Sequence, residues 1–314
     1  MINVVDSNKQ YFYYINYKDN QKDLCELEMK AIFGFIPDNK LFVTTIVIDP
    51  SRSVFIKYRI EVNYQENSLE SLESKVLSDQ LYMDDYKIIY LKNDFDITYE
   101  ERLNAMRKIG FAIEGKFSLA NPKVELALTK INGSWILGYY KKNDNSWVNR
   151  KQKPHNYSFA LDVWLAKALI NIAVENNFTK KIVDPCCGIG TVLIEGYSIG
   201  ANIKGYDINP TVVNQTKQNL KFFGFNANVE CKNISDIDKY YDVAIIDLPY
   251  GKFIKSHSNN RNDVIKISRN ISKRVIFISM TNINEIVRKY GFSVTNTCKL
   301  EKRSKFSRFI TLCE

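Results

Sequence analysis

The spacing of apolar and polar positions gives the chain two rhythms, with the change near the middle. In the first half, YFYYINY (11–17), LFVTTIVI (41–48), SVFIKYRIEV (53–62) and DYKIIYL (85–91) are β-branched and aromatic runs that predict strands. QKDLCELEMKAIFG (21–34) sets Leu24, Leu27 and Ile32 roughly along one helical face, and residues 68–78 are helical in pattern. The βαββαβ order over 1–95 predicts a ferredoxin-like region, with two helices on one face of an antiparallel sheet. Residues 98–111 read as a further helix. NPKVELALTKINGSWILGYYKKN (121–143) reads as a hairpin: Val124, Leu126 and Leu128 alternate with polar or small residues. Asn132–Gly133 suits the two positive-φ positions of a tight turn. The aperiodic, polar stretch 141–154 ends in proline and predicts a linker.

From residue 155 helix and strand alternate. Helices are expected over 159–175, 191–199, 210–223, 263–271 and 282–290. Between them lie short strands: KKIVDPC, NIKGYDI, NVECKN, YDVAIID and KRVIFISM. Short β-branched strands separated by helices predict a doubly wound α/β sheet covered on both faces. The tail departs from this rule. FSVTNTCKLEK (292–302) and FSRFITLCE (306–314) have no helix between them and predict an antiparallel hairpin on the sheet edge. The division expected is therefore a ferredoxin-like domain over 1–95, a further segment and linker over 96–150, and an α/β domain over 151–314.

Composition narrows the function classes. With 45% hydrophobic residues, the chain can bury a large core. No run approaches the ~20 apolar residues of a membrane span, and the start MINVVDSNKQYFYY lacks a charged-then-apolar leader, so a cytoplasmic protein is expected. Six scattered cysteines without a CxxC pair, and two histidines, speak against a metal cluster. The net charge of +9 is unevenly spread. Residues 1–150 carry 20 Lys and Arg against 21 Asp and Glu, whereas 151–314 carry 24 against 14. A basic second half attracts phosphate backbones, which makes RNA a candidate partner.

The chemistry concentrates at consecutive strand ends, where open α/β sheets bind ligands. In DPCCGIGT (184–191), Gly188 and Gly190 let the backbone pass close to a ligand, and Thr191 starts a helix whose amides face it. A dinucleotide fingerprint needs a third glycine where this chain has Leu193. Asp184 stands ahead of the glycines instead, and an acid there suits a cationic ligand such as S-adenosylmethionine. Asp207, in GYDINP, ends the next strand, and a carboxylate there can accept from ribose hydroxyls. Asn233 can bond an adenine amine, with Ile234 beside the ring. The fourth strand ends in DLPYG (247–251). The Asp247 carboxylate and the Leu248 carbonyl can take both hydrogens of an exocyclic amine, aiming its lone pair at a methyl group. Pro249 stiffens the turn and Tyr250 can stack on a base, worth roughly 1–3 kcal/mol. Cys186 and Cys187 lie in the glycine loop, away from DLPYG, and do not suit a nucleophilic role there.

DPCCGIGTVLIEG, GYDINP and DLPYG together resemble the Rossmann-fold methyltransferases of exocyclic amines, which carry an (N/D)PPY signature. KPHNYSFALDVWLAKALINIA (153–173) and RKIGFAIEGKFSLANPKVELALTKINGSWILGYY (107–140) are similar to the tRNA guanine-N2 methyltransferases that carry a THUMP domain. The resemblance covers most of the chain and is most specific over 153–251. It implies that the front half grips the acceptor region of a tRNA while the rear half methylates a guanine. It also assigns S-adenosylmethionine to Asp184, Pro185, Cys186, Gly188, Gly190, Thr191, Asp207, Ile208, Asn233 and Ile234. Tyr157 and Ser158 would approach its methionine end, and Asp247, Leu248, Pro249 and Tyr250 would hold the base. Two residues depart from the family: Leu248 replaces the usual proline, and Asn233 stands where aspartate is more frequent.

Two function classes fit these residues: an RNA amino-methyltransferase and a non-catalytic RNA-binding relative. Retention of Asp184, Asp207 and Asp247 favours the enzyme. Within that class, rRNA, DNA adenine N6 and protein glutamine are alternative acceptors.

Overall fold

The computed structural model describes residues 9–92, 97–157, 160–226, 228–249, 261–302 and 306–314. In chain order, the first half holds β1 (Tyr11–Ile15), α1 (Lys22–Phe33), β2 (Leu41–Thr44), β3 (Ile56–Glu66), α2 (Leu69–Ser78) and β4 (Tyr82–Tyr90). Then come α3 (Tyr99–Ala112), β5 (Glu114–Phe117), β6 (Val124–Ile131) and β7 (Ser134–Lys142). The second half continues with α4 (Val163–Val174), β8 (Ile182–Asp184), α5 (Thr191–Ser198), β9 (Ile203–Asp207) and α6 (Pro210–Phe222). It closes with β10 (Val229–Cys231), β11 (Tyr241–Asp247), α7 (Arg261–Ile271), β12 (Ser272–Ser279), α8 (Asn284–Lys289), β13 (Val294–Lys302) and β14 (Phe306–Cys313).

The chain divides into two compact units. The first comprises Met1–Asn16, Asp38–Ser51 and Ile56–Asp144. It is an α+β unit built on a seven-stranded sheet in the order β2-β1-β3-β7-β6-β4-β5. The expected break near residue 95 does not separate its strands. The β6–β7 hairpin lies between β3 and β4, and β7 pairs antiparallel with β3 from Tyr58↔Lys142 to Glu66↔Trp135. Asn132 and Gly133 turn that hairpin with φ of 49° and 87°, as a tight turn between twisted strands requires. The helices α2 and α3 bury Leu72, Val76, Ala105 and Ile109 against Tyr86, Ile88, Leu126 and Leu137.

The second unit comprises Tyr17–Pro37, Arg52–Phe55 and Asn145–Glu314. Its sheet order is β10-β9-β8-β11-β12-β14-β13. All pairs from β10 to β12 are parallel, and the β13–β14 hairpin closes the edge antiparallel, as the missing last helix predicts. This is the doubly wound, Rossmann-like sheet. The helix α4 is apolar on nearly all sides and buried throughout, and α1 packs along it. The sequence pattern assigns α1 to the N-terminal sheet, but its chemistry fits α4. The fully buried Glu28 on α1 accepts from Ser53 Oγ at 2.5 Å and from Asn171 Nδ2 on α4 at 2.7 Å. Burial raises the Glu28 carboxyl above the usual range, and those two bonds pull it back. Arg52 extends the network: Nε donates to Asn171 Oδ1 at 3.1 Å, and another nitrogen to Asn176 Oδ1 at 2.9 Å.

Candidate active site

Parallel strands β9, β8 and β11 end side by side, and their last residues are Asp207, Asp184 and Asp247. Three acids therefore stand along one edge of one sheet. Asp184 is 4% exposed. Burial pushes its carboxyl well above the usual range, the N–H of Cys186 at 3.3 Å pulls it back, and the charges of Asp247 and Asp207 raise it further. Burial also raises Asp207, against backbone donors on each oxygen: Gly188 N–H on Oδ2 at 3.0 Å and Asn209 N–H on Oδ1 at 2.9 Å. Asp247 is pushed up to about 7, by burial first, with the Arg308 charge opposing. Its Oδ1 is sealed from solvent and has no hydrogen-bond partner among the described residues. An orphaned buried carboxylate oxygen is costly unless a ligand completes it.

The loop between β8 and α5 supplies the cradle. Gly188 and Gly190 have φ of 52° and 82°, the left-handed region that favours glycine. A Cβ at Gly188 would lie 2.6 Å from the Tyr157 hydroxyl, so that ring stands directly over the loop. The other predicted loop residues do different work. Pro185 is buried. Thr191 opens α5, but its hydroxyl accepts from the buried Lys153 Nζ at 2.8 Å. Burial and the neighbouring carboxylates raise the thiols of Cys186 and Cys187, which keeps both protonated and unsuited to nucleophilic attack.

At the far strand ends, Ile208 is 47% exposed, an apolar side chain on the ligand edge beside Asp207. Asn233 is half-buried and its Oδ1 accepts from Ser235 N–H at 3.2 Å, which leaves that oxygen a second lone pair for an amine. Ile234, in the short helical turn after Asn233, is 4% exposed and packs in the core with Tyr206, Ile246 and Val264. Leu248 is 1% exposed and packs in the same core. Its N–H donates to the Ile278 carbonyl at 2.9 Å, extending the β11–β12 pairing by one residue. A proline there has no N–H to give. The departure from the family signature thus replaces ring stiffness with a sheet hydrogen bond, and the Leu248 carbonyl remains. Pro249 follows, half-buried. Ser158 and Tyr250 lie outside the described residues.

Sequence reasoning missed three residues here. Arg308, on β14, donates to Asp162 Oδ2 at 3.4 Å and acts on Asp247 through its charge. Only the sheet order, which sets β14 beside β12, brings it there. Thr216 and Asn219 on α6 bond the glycine loop. Their signal was two polar residues on the inner face of an otherwise apolar-seated helix. His155 has its backbone bound by Asn219 and its ring 2.6 Å from Gln218 Oε1.

The donor set fits S-adenosylmethionine. A clustered triad of acids wants a cation, the glycine loop leaves backbone space, and Ile208 offers an apolar seat for a ring. No cluster of described residues could hold a metal ion, and no described helix is long and apolar enough to cross a membrane.

Known proteins point the same way. Residues 150–276 match the UPF0020 family (RMKL-like, methyltransferase domain). A "Probable tRNA (guanine(10)-N2)-dimethyltransferase" of Methanothermococcus thermolithotrophicus is 34% identical over 122 residues, covering 32% of this chain and 73% of that protein. The tRNA (guanine(10)-N2)-dimethyltransferase of Methanothermobacter thermautotrophicus is 27% identical over 143 residues, covering 43% of this chain but only 42% of the relative's own length. TrmN from Thermus thermophilus, a solved structure, aligns over 97% of this chain and 99% of its own, with 13% identity and a TM-score of 0.47. With a third of positions identical across nearly three quarters of the Methanothermococcus protein, the chain belongs to the RMKL-like methyltransferase family.

Proposed function

We propose that this protein methylates the exocyclic N2 amine of a guanine in tRNA, with S-adenosylmethionine as methyl donor. The observation that carries the reading is Asp247: a carboxylate at a strand end, one oxygen sealed and unpartnered, beside two other acids. The bound donor supplies a methyl group on a sulfonium, already strongly electrophilic. What remains for the protein is placement, and placement can supply much of the rate. Asp184 and Asp207 bind: the first faces the cationic amino-acid end, the second the ribose hydroxyls. Ile208 and the Asn233 amide serve the adenine end. Asp247 Oδ1 and the Leu248 carbonyl accept the two N–H hydrogens of the target amine. That grip pyramidalises a nitrogen whose lone pair is otherwise delocalised into the base. After methyl transfer the nitrogen carries an extra proton, and Asp247, poised near neutrality, can take it.

The tRNA substrate is supported by the names of the two curated relatives and by the excess of 24 basic over 14 acidic residues in 151–314. The test is transfer of labelled methyl to bulk tRNA, followed by mass spectrometry of the nucleosides. Appearance of N2-methylguanosine is expected. Label in adenosine would move the reading to an N6 enzyme, and no label in any nucleoside, with tRNA still bound, would favour the non-catalytic relative.

A further inference from the structure

Helix α6 carries two polar side chains one turn apart, Thr216 and Asn219, both fully buried. Asn219 meets His155 as one strand meets another. Its Oδ1 accepts His155 N–H at 2.8 Å, and its Nδ2 donates to the His155 carbonyl at 3.0 Å. The second Nδ2 hydrogen goes to the Ile189 carbonyl, also at 3.0 Å. Thr216 Oγ1 lies within hydrogen-bond reach of the preceding carbonyl, that of Gly188, and of the Val212 carbonyl one turn back on α6 at 2.9 Å, and its one hydrogen is shared between them. Two successive carbonyls of the glycine loop are thus drawn toward α6. Peptide planarity then turns the Ile189 N–H the opposite way, while the Gly190 N–H closes the turn onto the Cys187 carbonyl at 2.9 Å. Meanwhile the fixed backbone of His155 leads, two residues on, to Tyr157 over Gly188.

We propose that Asn219, assisted by Thr216, is a positioning residue: it presets the glycine loop and docks the Tyr157 segment onto it, so that the amino-acid end of the methyl donor meets a finished site. This rests on reading the edge as the cofactor site. A buried asparagine serving packing alone would cost stability when removed, without any special cost to binding. Asn171 provides the matched comparison. It is equally buried and also makes three bonds, to Glu28 Oε1, the Arg52 carbonyl and Arg52 Nε, but on α4, away from the loop.

The experiment compares Asn219→Ala, Thr216→Val and Asn171→Ala in the full chain. Calorimetric titration with S-adenosylhomocysteine reads affinity, thermal melting reads stability, and hydrogen exchange reads the amides of 187–190 without ligand. Losing the one bond that holds the loop and the two that hold His155 is expected to weaken binding about tenfold in Asn219→Ala, and the loss of the hydroxyl about threefold in the shape-preserving Thr216→Val. Loop amides should exchange faster in both. Asn171→Ala should melt lower yet bind like the parent and keep its loop protection. Parent-like affinity in Asn219→Ala, or equal weakening in Asn171→Ala, would overturn the inference. If the parent itself binds no S-adenosylhomocysteine, the functional reading fails, and the exchange comparison alone decides whether Asn219 holds the loop.

Discussion

Asp247→Asn is expected to stabilise the protein at alkaline pH while ending methyl transfer. The carboxyl sits at about 7 in the folded chain, against an ordinary value of 3.8. That gap of about three pH units corresponds to a ceiling of about 4 kcal/mol, at 1.36 kcal/mol per unit. The residue as a whole is only half-buried, and an asparagine would still have polar atoms to desolvate, so about 1–2 kcal/mol is the realistic net. The sign follows from linkage. Between pH 4 and 7, roughly, the folded state holds a proton that the unfolded state has released, so stability falls as pH rises through that window. Above it the penalty is constant. The assay is thermal melting of parent and variant at intervals from pH 5 to pH 8. The gap should be smallest at the acid end, about a third of its full size at pH 5, with the variant gaining about 2–4 °C at pH 8. Asp184 and Asp207 contribute slopes of the same sign to both proteins, and losing the Asp247 charge relieves part of the rise in Asp184, which adds to the variant's gain in the same direction. S-adenosylhomocysteine, which lacks the sulfonium charge, should bind both about equally. Parallel melting curves, or a variant less stable at pH 8, would mean that Oδ1 has a partner in the folded chain and would refute the argument.

Four further outcomes follow from the same structure. Arg308→Ala removes the charge that opposes the rise in Asp247, so the ascending limb of the pH–kcat/KM profile should move to higher pH, and an unmoved limb would disconnect the two residues. Leu248→Pro restores the family signature but deletes the N–H bond to Ile278 and a buried side chain; a loss of about 2–4 kcal/mol is expected in denaturant melts, and parent-like stability would count against the role of that bond. A fragment limited to 145–314 strips α1 and residues 52–55 from α4, so it should lack sharp tertiary signals in near-UV circular dichroism; a cooperative melt would show that α1 is dispensable. Binding of tRNA should weaken steeply between 50 and 200 mM salt, by about 10³-fold if some six phosphates are contacted; a flat response would remove the basic second half from the interface.

The strand-end chemistry was legible in the sequence because a parallel sheet keeps it local. Each strand delivers its last residue to one edge, so DPCCGIGT, GYDINP and DLPYG announce Asp184, Asp207 and Asp247 without knowledge of long-range contacts. The Asn132–Gly133 turn and the helix-free tail were readable for the same reason, since both are decided by neighbours in the chain.

Other features needed the tertiary structure. Helix α1 has an amphipathic pattern that fits any apolar surface, and only the buried bonds of Glu28 to Ser53 and Asn171 select α4 as its partner. The strand β7 found β3 across some seventy residues, which no local pattern encodes. Arg308 reaches Asp247 through the order β11-β12-β14, and Asn219 reaches His155 across a separation of 64 residues. By itself, the sequence determined which acids and glycines end the strands, because local periodicity acts over a few residues. Their burial, and hence the raised carboxyls and the oxygen left without a partner, was decided by packing, because desolvation depends on every segment folded around a group, near or far in the chain.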